Sequence, residues 1–121
     1  MRTAEVNLMG KTYTLCYSAR VAASVEERSG TVKAEMEKLS EGSLGETFWL
    51  LSQLLDAGER YERLMGNEPE THPSYDDIVD SVGSDEFNEI YAAVARALTA
   101  GSTAKVEVKE PKKRNAATQG E

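Results

Sequence analysis

Residues 44–66, LGETFWLLSQLLDAGERYERLMG, carry the strongest structural signal in the chain. One apolar stripe at helical spacing comprises Leu50, Leu54, Ala57, Tyr61 and Leu64, and a neighbouring stripe comprises Phe48, Leu51 and Leu55. Trp49 points in a third direction, so the first half of this stretch is apolar nearly all round. The pattern therefore predicts a central helix that other elements contact from several sides.

The N-terminal stretch predicts a β-hairpin. The runs AEVNL and KTYTLCY flank Met9-Gly10, and a two-residue turn there pairs Leu8 with Lys11. This register puts the apolar side chains on one face, namely Val6, Leu8, Tyr13 and Leu15. Because an isolated hairpin is marginal in water, we expect the later helices to support that face. The strand edges are expected to stay open, as a template for another chain.

The remaining elements read as helices with polar caps. Expected N-caps are Ser18, Thr31 and Ser74, and the last helix is expected to begin at Ser84 or Asp85 and to end at Gly101. In the first of these helices Ala19, Ala22 and Val25 are expected to face inward. We predict a mainly α fold, with an N-terminal β-hairpin packed on a bundle of four or five helices over residues 1–100. Residues 101–121 are predicted to form a disordered polar tail.

Charge and composition exclude several classes of protein. Residues 1–100 carry a net charge of −9 and residues 101–121 carry +2, so the acidic body should repel nucleic acids. No apolar run approaches the roughly 20 residues of a membrane span, and no signal peptide is evident. The single Cys16 cannot form an intramolecular disulfide. These features favour a protein of the cytoplasm, with no nucleic-acid or membrane partner.

Candidate catalytic motifs in the chain have simpler structural explanations. Gly10-Lys11-Thr12 resembles the end of a phosphate-binding loop, but the pattern needs a glycine five positions earlier and a following helix. Cys16 and His72 are the only residues of their kinds, too few for a structural zinc site. A nucleophile–base pair would require them to meet in space. We therefore expect a turn glycine, a buried cysteine and a loop histidine.

An acidic group near the last two helices could suggest calcium. Its members are Asp76, Asp77, Asp80 and Asp85. Their spacing does not follow the alternating ligands of an EF-hand loop, so they are expected to form the solvated side of a capped helix. The sequence thus predicts no enzyme and no catalytic, metal or cofactor site.

What remains is a protein that works by contact. The apolar residues nominated for partner binding or self-association are Val6, Leu8, Tyr13, Phe48, Trp49, Leu51 and Leu55. Apolar residues at helical spacing are usually core, and the alternative for the Trp49 region is a surface patch that fills a partner's groove. The hairpin edge or the surface of residues 48–55 would be the contact within a homo-oligomer.

Three stretches carry a resemblance to a known family. They are GKTYTLCYSARVAASVEERSG, FWLLSQLLDAGERYERLMGNE and SYDDIVDSV. Over residues 4–100, in element order and in the GKxYxL and AGxRY patterns, the chain resembles the tail assembly chaperones of long-tailed bacteriophages and prophages, notably those of Gram-positive hosts. The resemblance implies binding of the tape-measure protein in the bacterial cytoplasm while tail tube protein polymerises around it. It also implies absence from the finished virion.

The family resemblance also implies a second, longer product made by ribosomal frameshifting. Lys112 and Lys113 lie in EPKKRN, and consecutive lysines can be encoded by a run of adenines on which ribosomes slip. These two residues are therefore the expected frameshift position. Two alternative functions stay open from the sequence. One is a structural tail-completion or head–tail connector component of the virion, and the other is a small regulatory adaptor.

Overall fold

The chain folds as a hairpin followed by helices. A computed structural model describes the backbone of residues 3–109 and the side chains of residues 3–100. The strands are β1 (Thr3–Leu8) and β2 (Lys11–Cys16), and the helices are α1 (Ala19–Ser29), α2 (Val32–Ser40), α3 (Leu44–Leu64), α4 (Tyr75–Ser81) and α5 (Phe87–Lys109). A single 3-10 turn at Ser84–Glu86 leads directly into α5. The predicted mainly α class, with an N-terminal hairpin on a helical bundle, is confirmed.

The hairpin has the predicted register. Val6 pairs with Tyr13, and Leu8 pairs with Lys11. The turn residues Met9 and Gly10 have φ angles of 51° and 80°, which is the left-handed geometry that two-residue hairpin turns require. Glycine adopts this geometry without strain. Met9 also has a positive φ angle, because this type of turn requires one at both of its central residues.

Both outer edges of the hairpin are partly covered by helices. In a hairpin of this length, Glu5 and Thr14 form a pair whose backbone groups point away from the partner strand. Gly58 of α3 lies so close that a Cβ atom there would be 1.8 Å from the Thr14 carbonyl oxygen. On the other edge, Arg96 of α5 donates to the Glu5 carbonyl oxygen at 3.4 Å. The expectation that both edges stay open is wrong at these two positions.

The core forms around the middle of α3, as its sequence predicts. Leu50, Leu51, Leu54 and Leu55 are all buried, and they belong to one cluster with the inner face of the hairpin and with α5. The buried part of the predicted stripe ends before its last member, since Leu64 is 81% exposed. The last turn of α3 extends beyond the hairpin's support, and periodicity alone does not show where such support ends.

Polar caps set the starts of four helices. The side chains of Ser18, Thr31 and Ser74 accept hydrogen bonds from backbone amides in the first turns of α1, α2 and α4, as predicted. Ser43 does the same for α3. The inward face of α1 differs from the prediction. It buries Val21 and, as predicted, Val25, whereas Ala22 is only partly buried and Ala19, the first residue of the helix, is exposed.

The last helix is longer than predicted. Its buried residues include Ile90, Val94 and Leu98, but the helix continues past Gly101 to Lys109. A glycine inside a helix costs only about 1 kcal/mol relative to alanine, so one glycine does not end a helix by itself. The predicted boundary between a body at 1–100 and a tail at 101–121 therefore does not coincide with the helix end. Lys112 and Lys113 lie outside the described residues.

Within the described range, none of the helices combines the length and the apolar character needed to cross a membrane.

Candidate functional site

Most of the nominated contact residues lie in the interior. Val6, Leu8, Leu51 and Leu55 are at most 5% exposed, and Phe48 is 9% exposed. Their side chains pack within the chain's own core, so they form no accessible surface in this conformation. This corrects the expectation for these five residues. The physical reason is that the hairpin, α3 and α5 pack against one another, so the apolar faces that could have bound a partner are buried within one core cluster.

Trp49 and Tyr13, the other two nominated residues, are only partly buried. Trp49 is fixed by Arg28, whose guanidinium carbon lies 4.1 Å from the centroid of the Trp49 ring. Such a cation–π contact contributes about 0.5–1 kcal/mol at an exposed site. The indole thus presents a partly exposed aromatic surface whose orientation is already set.

The same arginine joins α1 to α3. Arg28 Nε lies 3.1 and 2.9 Å from the two carboxylate oxygens of Glu46, a residue that is largely buried. This hydrogen bond raises the pKa of the Arg28 guanidinium. Tyr75, the first residue of α4, lies close enough to Arg28 to act on its charge and is 41% exposed. We call Arg28, Trp49 and Tyr75 the aromatic face.

Behind this face lies a buried carboxyl pair that sequence reasoning missed. Glu35 of α2 is fully buried, accepts a hydrogen bond from the Ser29 hydroxyl at 2.5 Å, and lies near the Glu46 carboxyl, which can accept a hydrogen bond when Glu35 is protonated. Burial raises the pKa of Glu35 to about 7, and the bond to Glu46 adds to the rise. Burial also pushes the pKa of Glu46 upward, but hydrogen bonds from Glu35 and Arg28 outweigh it and hold that pKa below its ordinary value.

An aromatic row connects the start of α5 to α3. The ring centroids of Phe48 and Phe87 are 6.2 Å apart in an edge-to-face arrangement, and those of Phe87 and Tyr91 are 6.1 Å apart. Pairs at this separation are favourable beyond their area burial. Phe87 and Tyr91 remain partly accessible, so Phe48 acts here as a core anchor for α5.

Exposed apolar side chains gather at the ends of α3. Among residues 3–100, the large apolar side chains that are exposed are Met9, Leu44, Leu64, Met65 and Tyr75. Leu44 is the first residue of α3, and Leu64 and Met65 are at its end. The helix is thus buried in its middle and offers apolar groups to solvent at both ends.

An acidic cleft of about 220 Å³ runs along β2. Its walls are the strand at Thr12–Thr14, the second half of α3, and residues 67–72. Glu62 accepts a hydrogen bond from the Thr14 hydroxyl at 2.9 Å, and Lys11 pairs with Glu70 at 2.9 Å. The first contact joins the hairpin to α3, and the second joins it to the connection after α3.

The motifs set aside by sequence reasoning have structural roles. Lys11 and Thr12 begin a strand, so no helix follows Gly10 to receive a phosphate. His72 uses both ring nitrogens, one 2.6 Å from Asp56 Oδ1 and the other 2.7 Å from the Pro73 carbonyl oxygen. Cys16 is buried in the core cluster.

The acidic group around α4 also has a structural place. Asp76 and Asp77 are exposed in the first turn of α4, where they complement the helix dipole. Among the residues that the structure describes, no three His, Cys, Asp or Glu side chains come together in a way that could hold a metal ion.

Comparison with known proteins gives no match to a family model, a curated protein or a solved structure.

Proposed function

We propose that this protein is a non-catalytic tail assembly chaperone, which binds the tape-measure protein in the bacterial cytoplasm while tail tube protein polymerises. The element order carries the proposal. A hairpin, a long central helix, a short acidic helix and a final helix follow one another as in the family that residues 4–100 resemble. The motifs of that resemblance fall on defined elements, because GKTYTL forms the turn and β2 and AGERY lies within α3.

The surface chemistry suits transient binding of a long apolar polypeptide. The aromatic face offers Trp49 and Tyr75 around a charged Arg28, a combination of residue types that is enriched at the energetic centres of interfaces. Because Trp49 is held in place before binding, little conformational entropy is lost when a partner contacts it. The net charge of −9 over residues 1–100 opposes aggregation of a coated complex.

Co-expression with tape-measure fragments tests the proposal. The wild-type protein should increase the soluble fraction of a fragment, and the double variant Trp49→Ala/Tyr75→Ala should lose most of that effect. Leu64→Ala is the matched control, since it removes exposed apolar surface at the far end of α3. Far-UV circular dichroism of each variant checks that the fold is kept. An unchanged soluble fraction with the wild-type protein would contradict the proposal.

Purified virions separate the chaperone from its alternatives. A chaperone should be missing from them by mass spectrometry, whereas a tail-completion or head–tail connector component should be present at fixed stoichiometry. A regulatory adaptor would be absent from virions and would leave the solubility of tape-measure fragments unchanged.

Self-association and frameshifting belong to the same proposal. Many copies along one polypeptide imply a homo-oligomer, and a strict monomer at high micromolar concentration in sedimentation would count against it. The frameshift is expected at Lys112-Lys113. The codons AAG-AAG there, with no overlapping downstream frame, would argue against a longer product.

A further inference from the structure

Helix α2 buries an acidic side chain against the rest of the fold. Leu39 is the one apolar side chain of α2 that is fully buried among the described residues, whereas Val32 and Met36 are only partly buried. The other buried residue of this helix is Glu35. Burying a carboxylate is costly unless its charge is compensated, so the protonation of Glu35 should govern how firmly α2 docks.

The surroundings of Glu35 favour a neutral carboxyl. Its Oε1 accepts from the Ser29 hydroxyl, and its Oε2 is buried without a hydrogen-bond partner. A proton on this carboxyl converts it from an acceptor to a donor, which the neighbouring carboxylate of Glu46 can accept. The buried hydroxyl of Tyr17 is likewise without a partner, so this part of the interior has few groups that could compensate a second negative charge.

The charged groups around the pair are assigned to different partners. On α1, Arg28 is engaged with Glu46, and Glu26 acts on the nearby Tyr17. On α2, Lys38 favours ionised Glu35, but its ammonium is 3.5 Å from the Arg28 carbonyl oxygen. On α3, Glu46 carries the negative charge of the pair. Arg28 therefore compensates one carboxylate, and the second must be protonated or exposed.

We propose that α2 is a proton-controlled cap, which stays docked while Glu35 and Glu46 share one proton and loosens when that proton is lost. The device does not rest on the proposed function, since it follows from the packing of α1, α2 and α3. Loosening removes Leu39 from the core and exposes the apolar groups that it covers.

The direction of the pH dependence follows from linkage. The pKa of Glu35 is raised to about 7 in the docked state and should return toward its ordinary value of 4.5 when α2 opens. Between these two values, opening releases a proton. The opening constant should therefore rise about tenfold for each pH unit and level off above about 7. Docking is strongest at the acidic end of this window.

Hydrogen exchange of α2 between pH 5 and pH 8 tests the proposal. Protection factors, corrected for the intrinsic exchange rate at each pH, should fall about 100-fold across residues 32–40, by the same linkage. The middle of α3 serves as the internal reference and should change far less. Protection of α2 that is flat over this range would overturn the proposal.

Variants identify the responsible carboxyl. Glu35→Gln keeps the shape and a hydrogen-bond donor, so it should abolish the pH dependence and keep α2 protected at pH 8. Glu37→Gln is the matched control, because Glu37 is exposed on the same helix and its removal should leave the dependence intact. A dependence that survives in Glu35→Gln would overturn the proposal.

A second variant keeps the proposal testable if Glu35→Gln does not fold. The Ser29 hydroxyl bonds to Glu35 and lowers its pKa. Ser29→Ala should therefore move the upper end of the transition to higher pH. A shift to lower pH, or no shift, would count against the assignment of Glu35.

Discussion

Gly58 of α3 lies directly against the carbonyl group of Thr14 in β2, with no room for a side chain between them. A Cβ atom on Gly58 would be 1.8 Å from the Thr14 oxygen and 2.6 Å from its carbonyl carbon. The central helix therefore contacts the backbone of the hairpin itself. This contact lets α3 cover the outer edge of β2 as well as its apolar face.

Replacing this glycine should destabilise the fold. Gly58→Ala forces α3 away from β2, and overpacking of this kind typically costs about 1–3 kcal/mol. The free energy of unfolding from urea titration measures the effect. Gly45→Ala is the control in the same helix, since nothing lies within 4 Å of its Cβ position, and it should be neutral or stabilising by about 0.5 kcal/mol. Equal effects from the two substitutions would refute the close contact.

Removing Arg28 should destabilise the fold, because the Glu46 carboxylate loses its positively charged partner. Arg28→Ala deprives a largely buried carboxylate of its partner and should cost about 1–3 kcal/mol at pH 7. Glu46 has a lowered pKa in the folded state, so its contribution is present above the ordinary value of 4.5 and is lost as the pH falls through the folded pKa. The difference between variant and wild type should therefore shrink at acidic pH.

Chemical denaturation at pH 7 and at pH 3.5 measures that difference. Arg20→Ala, at an exposed position on the same helix, is the control and should have little effect at either pH. The fluorescence of Trp49, the single tryptophan, should change in Arg28→Ala because the guanidinium no longer lies over its ring. A penalty that is the same at both pH values would show that the ion pair is not its source.

Truncating two leucines of the predicted α3 stripe should have very different effects on stability. Leu54→Ala removes a fully buried side chain and should cost about 2–5 kcal/mol. Leu64→Ala removes a side chain that is 81% exposed and should change stability by less than about 0.5 kcal/mol. Thermal unfolding of the two variants compares them directly. A large loss in Leu64→Ala would mean that the end of α3 is covered, for example by another copy.

Local signals in the sequence account for much of the fold. The alternation of Val6 and Leu8 before the Met9-Gly10 turn, and of Tyr13 and Leu15 after it, predicts the hairpin register. A one-residue slip would turn these apolar side chains to solvent. The caps at Ser18 and Thr31 were likewise predictable, since their hydroxyls bond to amides only three residues away. Such features depend on few neighbours.

The covered strand edges were not predictable in the same way. On the β2 edge, for example, they depend on a helix approaching a strand across 43 intervening residues, from Thr14 to Gly58. The end of α5 was also missed, because the flanking sequence overcomes the weak helix propensity of Gly101. In both cases a long-range or cumulative effect outweighed the local residue.

The candidate site shows the same limit more strongly. Periodicity nominated Phe48, Leu51 and Leu55 as contact residues, but the same periodicity identifies core, and here they are core. The burial of Glu35 was not predictable from the sequence, because a glutamate on a short amphipathic helix is usually solvated. Glu35 is buried because α2 packs against α1 and α3, a tertiary contact that the sequence does not show.

We propose that this protein holds another polypeptide in solution and transforms no substrate. Light scattering during dilution of a denatured tape-measure fragment, with increasing amounts of the purified protein, tests it most directly. Scattering should fall with added protein and reach a plateau at a fixed ratio of several copies per fragment, and Trp49→Ala/Tyr75→Ala should need more protein. Scattering that is unchanged at every ratio would contradict the claim.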